Sequence, residues 1–259
     1  MKYFKYFLLI MLCSFALYAL PVNNGLIAYY NFDSGITNLA STSINTDAQN
    51  GVVSNSNTGI NGSGGLVMDG VNDQVHVTNV PLNTSSGGSN TVNFWMKWGG
   101  FNKAAGDMPV GFLNFDLWIR NNYFGFNSDG GDVTGIDAGT NASDLAGEWL
   151  FVSAVFYNGA PSPSTHHLYI NGVKQTISLK MGTPYSRTAP NYFYIGSYNS
   201  GGSYNFKGTI DEFSVFDRAL SGSEISQLYD ASNVPEPSSF LLLVLTGIST
   251  LFVIKKKSD

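Results

Sequence analysis

The stretch Gly208-Thr209-Ile210-Asp211-Glu212-Phe213-Ser214-Val215-Phe216, followed by Asp217-Arg218-Ala219-Leu220-Ser221, decides how the chain is read. Its first nine residues are rich in β-branched and aromatic types and carry no helical period, which reads as a strand. Ser221 with Glu224 three positions on forms a capping box, and Ile225, Leu228 and Tyr229 then share one face of a short helix. A long strand, a brief connection and one amphipathic helix predict a β-structure capped just before a linker at 231–234.

The same texture extends outward. Apolar segments recur at 26–32, 65–68, 74–77, 91–98, 110–115, 123–126, 148–157, 167–170 and 191–196, separated by Gly, Asn, Asp and Ser clusters. Many short strands with turn signals between them are the signature of a sandwich or barrel. Asp69-Gly70 and Asn171-Gly172 tolerate the positive backbone angles of tight turns, and each is expected to close a hairpin. With 43% hydrophobic residues the chain is too apolar for disorder, and 29 glycines argue against a coiled coil.

The two ends read as addresses. Lys2 and Lys5 precede an apolar run and Ala19 offers a small residue for cleavage, so residues 1–19 are expected to be a signal peptide. At the other end Val-Pro-Glu-Pro-Ser-Ser leads into an apolar run and then Lys255, Lys256 and Lys257. That run, about 238–254, reads as a short transmembrane helix that leaves the domain outside the membrane. Residues 231–259 therefore form a linker and tail. The single cysteine, Cys13, lies in the leader, which removes disulfides, zinc-thiolate sites and cysteine nucleophiles from the mature domain. The net charge of −5 understates the acidity of the middle, because five of the 13 basic residues sit in the two ends. Such a surface repels phosphate backbones and argues against nucleic acid as a partner.

Two resemblances follow from these residues. Pro235, Glu236 and Pro237, the short apolar helix and the basic end resemble the PEP-CTERM sorting signal of Gram-negative bacteria. The resemblance implies recognition by an exosortase and delivery to the cell surface or extracellular matrix. Between the ends, Gly25 to Asp33, Gly65 to Val77, Thr91 to Lys97, Glu148 to Phe156, Leu168 to Gly172 and Gly208 to Ser221 resemble, in order, the laminin G-like, concanavalin A-like jelly-roll domain. This implies an all-β fold, a jelly-roll β-sandwich of two antiparallel sheets over residues 20–230, commonly a binding or adhesion module.

Catalytic chemistry is not written in the chain. Glycosidases of this fold need a Glu-x-Asp seed on one strand, and none of Glu148, Glu212, Glu224 and Glu236 has an aspartate two positions later. Asp211 and Glu212 are adjacent on a strand and are expected to point to opposite faces. His76, His166 and His167 lack a nucleophile context, and the adjacent pair is expected to diverge rather than share a metal. The expectation is an exported, non-catalytic module that binds polysaccharide or a surface protein. A glycoside hydrolase and a purely structural surface protein are the alternatives.

For binding, two strands place aromatic and polar groups together. In 91–98 the face Val92, Phe94, Met96 and Trp98 is expected to be core, leaving Asn93, Trp95 and Lys97 opposite. In 114–120 the core face is Phe115, Leu117 and Ile119, leaving Asn114, Asp116, Trp118 and Arg120. Trp95 and Trp118, with Asp116 and Arg120, are the candidate sugar platform, and Tyr192 with Tyr194 is a further aromatic pair. The other reading, indoles packed in a covered core or under a loop, stays open. One structural calcium ion is the expected metal, since the domain is exported, acidic and free of thiols. The family resemblance places it at Asp211, with the segment at Asp33 as partner; the other reading, Asp211 paired with a basic group or an edge amide, stays open. Asp129-Gly130-Gly131-Asp132 and Asp73 read as turn chemistry.

Overall fold

The computed structural model describes residues 20–40, 42–101, 105–113, 115–199 and 204–233. The expected leader at 1–19, the Pro235-Glu236-Pro237 motif, the apolar run 238–254 and the three terminal lysines lie outside the described residues, and so does Asn114. Among the described residues, no helix is long and apolar enough to cross a membrane.

The strands are β1 (Leu26–Tyr30), β2 (Asn45–Gln49), β3 (Val53–Asn55), β4 (Gly65–Asp69), β5 (Gln74–Thr78), β6 (Ser89–Trp98), β7 (Asp107–Gly111) and β8 (Asp116–Arg120). They continue as β9 (Tyr123–Asn127), β10 (Val133–Asp137), β11 (Trp149–Tyr157), β12 (His167–Ile170), β13 (Val173–Lys174), β14 (Ser178–Met181), β15 (Tyr192–Ile195) and β16 (Lys207–Phe216). One sheet runs β13-β12-β11-β6-β16-β4-β3, with β1 also on β16. The other runs β14-β10-β9-β8-β7-β15-β5-β2. Every pairing within the two sheets is antiparallel, so the architecture is the expected sandwich.

Alternation along the strands explains the core. Val92, Phe94, Met96 and Trp98 of β6 meet Leu117 and Ile119 of β8 and Phe124 and Phe126 of β9 in one cluster between the sheets. Phe112, Phe115 and Phe126 each stand edge-on to Phe156 with centroids 5.0 Å apart. Such pairs add about 0.5–1.5 kcal/mol each beyond area burial.

The helix, α1 (Gly222–Ser232), begins where the sequence placed it. Ser221 Oγ accepts from Glu224 N–H at 3.3 Å, and Glu224 Oε2 accepts from Ser221 N–H at 2.8 Å. Arg218 donates to both carboxylate oxygens of Glu224, at 2.6 and 3.2 Å, which together with the cap holds that carboxyl down at about 2. Ile225 and Leu228 then bury with Trp95, Phe151, Val155, Tyr169, Phe216 and Leu220. That second cluster seals the outer face of the β6-containing sheet.

Two local expectations are corrected. Asn171-Gly172 does close a hairpin between β12 and β13 with φ of 51° and 76°, but Asp69-Gly70 does not. It carries the chain from β4 in one sheet to β5 in the other, because β4 pairs with β16 and β3 while β5 pairs with β15 and β2. Asp211 and Glu212 do not alternate either. The register of β16 against β6 slips between Asp211 and Ser214, and Glu212 takes a φ of +50°. This bulge leaves both acids together between the core residues Ile210 and Phe213. It also switches the partner of β16, which pairs with β4 up to Ile210 and with β1 from Phe213.

Candidate functional site

The sandwich has two outer faces, and the structure treats them differently. On the β6-containing sheet, Trp95 is only 3% exposed. Its indole N–H donates to Ser232 Oγ at 2.8 Å, and its ring packs against Phe151 and Tyr229. Trp95 does face away from the central core, as the alternation required, but the face it enters is closed by α1. It is a packing residue of the helix and not an accessible sugar platform.

Among the described residues, no α-helix covers the outer face of the other sheet. Register fixes a row of same-face residues across five strands: His76 on β5 opposite Tyr194 on β15, Tyr194 opposite Gly111 on β7, Gly111 opposite Asp116 on β8, and Asp116 opposite Asn127 on β9. At ordinary strand spacing this row spans about 19 Å. At one end His76 and Tyr194 stack with centroids 4.3 Å apart and planes within 4°, and Tyr192 stands edge-on to His76 at 5.7 Å. Burial lowers the His76 pKa and raises those of Tyr192 and Tyr194, so all three rings are held toward the neutral form.

Two residues along from Asp116 stands Trp118. Its indole N–H donates to the Ala105 carbonyl at 3.1 Å, Tyr204 meets it edge-on at 5.7 Å, and the Arg120 guanidinium lies 5.1 Å from its ring. Gly125 on β9 lies opposite Trp118, so no side chain from that strand shields the indole there. Tyr198 and Tyr204 meet edge-on at 5.1 Å, and they, Tyr123 and Met181 pack partly buried around the Trp118 cluster. Trp118 is itself 6% exposed, so its neighbours Arg120, Tyr123, Tyr198 and Tyr204 carry the accessible surface.

Asp116 is fully buried and does not reach solvent. It accepts from Phe112 N–H at 3.1 Å and from Asn127 Nδ2 at 3.2 Å, and desolvation pushes its carboxyl well above the usual range. It props the β7–β8 connection under the platform. Of the four residues that the sequence offered as a sugar platform, Arg120 is partly exposed, while Trp95, Trp118 and Asp116 are buried, as the alternative reading of the indoles allowed; His76, Tyr192 and Tyr194 were given little weight. Tyr-x-Tyr alternation in β15 was the available signal for the last two. The stacking of His76 on Tyr194 depends on a pairing 118 positions apart and left no local trace.

The proposed metal residues meet at one loop. Asp33 Oδ1 accepts from Gly64 N–H at 2.8 Å, while Asp211 Oδ2 accepts from Ile60 N–H at 3.0 Å and Ser63 Oγ–H at 2.8 Å. A Cβ on Gly59 would overlap Asp211 Oδ2, and one on Gly64 would overlap the Phe32 carbonyl, so both glycines allow this close approach. Burial, with the charge of Glu212, pushes the Asp211 carboxyl up to about 8. Tyr29 donates to Glu212 Oε2 at 2.7 Å, which ties the second acid of the bulge. Among the described residues no cluster of three or more His, Cys, Asp or Glu assembles. An ion here would have to take carboxylate oxygens that now accept from Asn31, Gly64, Ile60, Ser63 and Glu212, with backbone carbonyls completing a set of hard oxygens of the kind calcium accepts.

A protein-family model described as the concanavalin A-like lectin/glucanases superfamily, of laminin G type, matches residues 69–226. The chain belongs to this superfamily. No curated protein matches it. Among solved structures, this superfamily member is similar to the binding domain of Paraclostridial Mosquitocidal Protein 1 (16% identity, TM-score 0.58, covering 80% of this chain and 52% of that one). It is also similar to the receptor binding domain of botulinum neurotoxin C/D mosaic serotype (14% identity, TM-score 0.57, 81% and 52%). A third similar structure is domain 4 of AbnA, a GH43 extracellular arabinanase from Geobacillus stearothermophilus, in complex with arabinotriose (19% identity, TM-score 0.53, 80% and 100%). The chain thus spans about half the length of the first two and all of the third. At these identities the likeness is one of fold.

Proposed function

We propose that this protein is an exported, non-catalytic carbohydrate-binding module whose ligand lies on the outer face of the β8-containing sheet. The observation that carries the reading is the contrast between the two outer faces. One is sealed by α1. The other carries the partly exposed His76, Tyr192, Arg120, Tyr198 and Tyr204, backed by the buried rings of Tyr194 and Trp118. Flat aromatic faces with hydroxyl and guanidinium groups at their rims are what a sugar ring needs from a protein. Binding of arabinotriose by a domain of the same fold supports the choice of ligand class.

In this reading the basic-ended tail with Pro235, Glu236 and Pro237 delivers the module to the surface or matrix of a Gram-negative cell through an exosortase. Asp33 and Asp211 would hold one calcium ion against the 59–64 loop, where it would stiffen the join between the N-terminal segment and β16. The catalytic alternative finds no support in the acids, since Asp211 and Glu212 are both engaged by protein donors.

The test is a polysaccharide pull-down and glycan array with wild type, Tyr194→Ala and Arg120→Ala. Loss of binding in either variant, with unchanged far-UV circular dichroism, is the expected result. A ligand that both variants retain at full affinity would place recognition elsewhere.

A further inference from the structure

The β9–β10 connection carries the turn Asp129-Gly130-Gly131-Asp132, which plays no part in the reading above. The Asp132 carboxylate is fully buried and accepts from Ser128 N–H at 2.9 Å, Ser128 Oγ–H at 2.9 Å and Gly130 N–H at 3.0 Å. Ser128, also fully buried, passes the restraint to the segment after β14. Its Oγ accepts from Tyr185 N–H at 2.7 Å, and its carbonyl accepts from Arg187 Nε–H at 3.1 Å. The Arg187 backbone N–H donates to the Gly159 carbonyl at 3.3 Å, which ties the same segment to the end of β11. A Cβ on Gly130 would overlap the Thr183 carbonyl, so glycine is what lets turn and segment lie this close.

What this buried network holds outward is an aromatic ring with a charged rim. Tyr185 is 51% exposed, whereas every other Phe, Tyr and Trp among the described residues is buried or half-buried. The Arg187 guanidinium lies 5.9 Å from the Tyr185 ring and donates to Asp129 Oδ2 at 2.9 Å, and both members of that pair keep contact with solvent. An exposed ion pair contributes about 0–1 kcal/mol and a solvated ring gains little from burial, so stability does not account for a network that fixes both. Binding does, because a ring fixed beforehand avoids the ordering entropy of recognition. The site also adjoins the open face of the β8-containing sheet: burial first, and the Asp129 charge among the smaller causes, raise the pKa of Tyr198.

We propose that Tyr185 is a sugar-stacking subsite, with Arg187 donating to and Asp129 accepting from the hydroxyls of a neutral sugar residue seated on its ring. The proposal rests on the carbohydrate reading and adds to it the ring that solvent reaches best. A sugar offers an apolar C–H face and a rim of hydroxyls, which match a flat ring flanked by a donor and an acceptor. The ion pair brings no net charge, so the subsite suits a neutral residue better than a uronate.

The test is affinity electrophoresis of the full chain in gels cast with arabinan, xylan or laminarin, together with the glycan array, for wild type, Tyr185→Ala and Tyr185→Phe. Neither substitution changes the net charge, so retardation reports binding. The ring is exposed and the backbone N–H to Ser128 survives in both variants, so far-UV circular dichroism should be unchanged. Tyr185→Ala is expected to weaken binding roughly tenfold, and Tyr185→Phe, which keeps the ring, by less than about twofold. Full affinity in Tyr185→Ala for a polysaccharide that wild type binds overturns the subsite and leaves the carbohydrate reading standing. Equal losses in the two variants overturn stacking as its basis. Absence of wild-type binding in every gel and on the array overturns the carbohydrate reading and the subsite together.

Discussion

Lowering the pH isolates the cost of burying His166. The side chain is fully buried among Phe115, Phe126 and Tyr157, and burial, followed by the neighbouring His167 charge, drags its pKa from 6.5 to about 3. The folded state therefore keeps His166 neutral, while the unfolded chain takes up a proton near its ordinary pKa. Stability from this group is complete above pH 6.5, falls as the pH drops below it, and levels off near pH 3. Linkage across that window puts the loss between roughly pH 7.5 and pH 5 at about 2 kcal/mol, or about 4–8 °C in Tm for a domain of this size. The buried carboxyls of Asp116 and Asp211, whose pKa values are raised, work with the opposite sign and gain stability as the pH falls. The comparison must therefore be between wild type and His166→Phe, a variant whose ring suits the surrounding aromatic edges. Urea unfolding followed by tryptophan fluorescence at several pH values should show wild type losing about 2 kcal/mol more than the variant on acidification. Parallel pH profiles for the two proteins would refute the argument.

Trp95→Ala should cost about 3–5 kcal/mol in urea unfolding, because it empties the pocket beneath α1 and removes the bond to Ser232. A loss below 1 kcal/mol would mean that the helix does not rest on that indole. Ser221→Ala, which deletes the side-chain half of the capping box, should cost about 1 kcal/mol by the same assay. Addition of calcium to protein pretreated with a chelator should raise Tm in wild type and fail to do so in Asp211→Asn. A Tm indifferent to calcium would rule out the metal proposed for Asp33 and Asp211. Gly64→Ala should destabilise the domain strongly, since its Cβ would overlap the Phe32 backbone, and a near-neutral effect in thermal unfolding would contradict the packing of that loop.

Much of the architecture could be read before folding because it depends on local periodicity. The alternation in 91–98 and 115–120 assigned the core faces of β6 and β8 correctly, and the box at Ser221 and Glu224 set the start of α1. Where reading failed, a distant partner had intervened. Asp69-Gly70 has hairpin chemistry, yet the strands on either side find better partners in different sheets. The alternation of Asp211 and Glu212 was broken by a bulge at the point where the neighbour of β16 changes from β4 to β1.

The division is sharpest at the two tryptophans. Strand period alone shows that Trp95 and Trp118 both point away from the central core, because successive side chains must alternate. Period says nothing about what lies beyond each outer face. Only the packing of α1 onto one sheet, and its absence from the other, buries Trp95 under a helix and leaves Trp118 beneath the partly exposed Arg120, Tyr198 and Tyr204. Alternation is a property of neighbouring peptide units, whereas cover is a property of segments more than a hundred residues apart, such as Trp95 and Ser232.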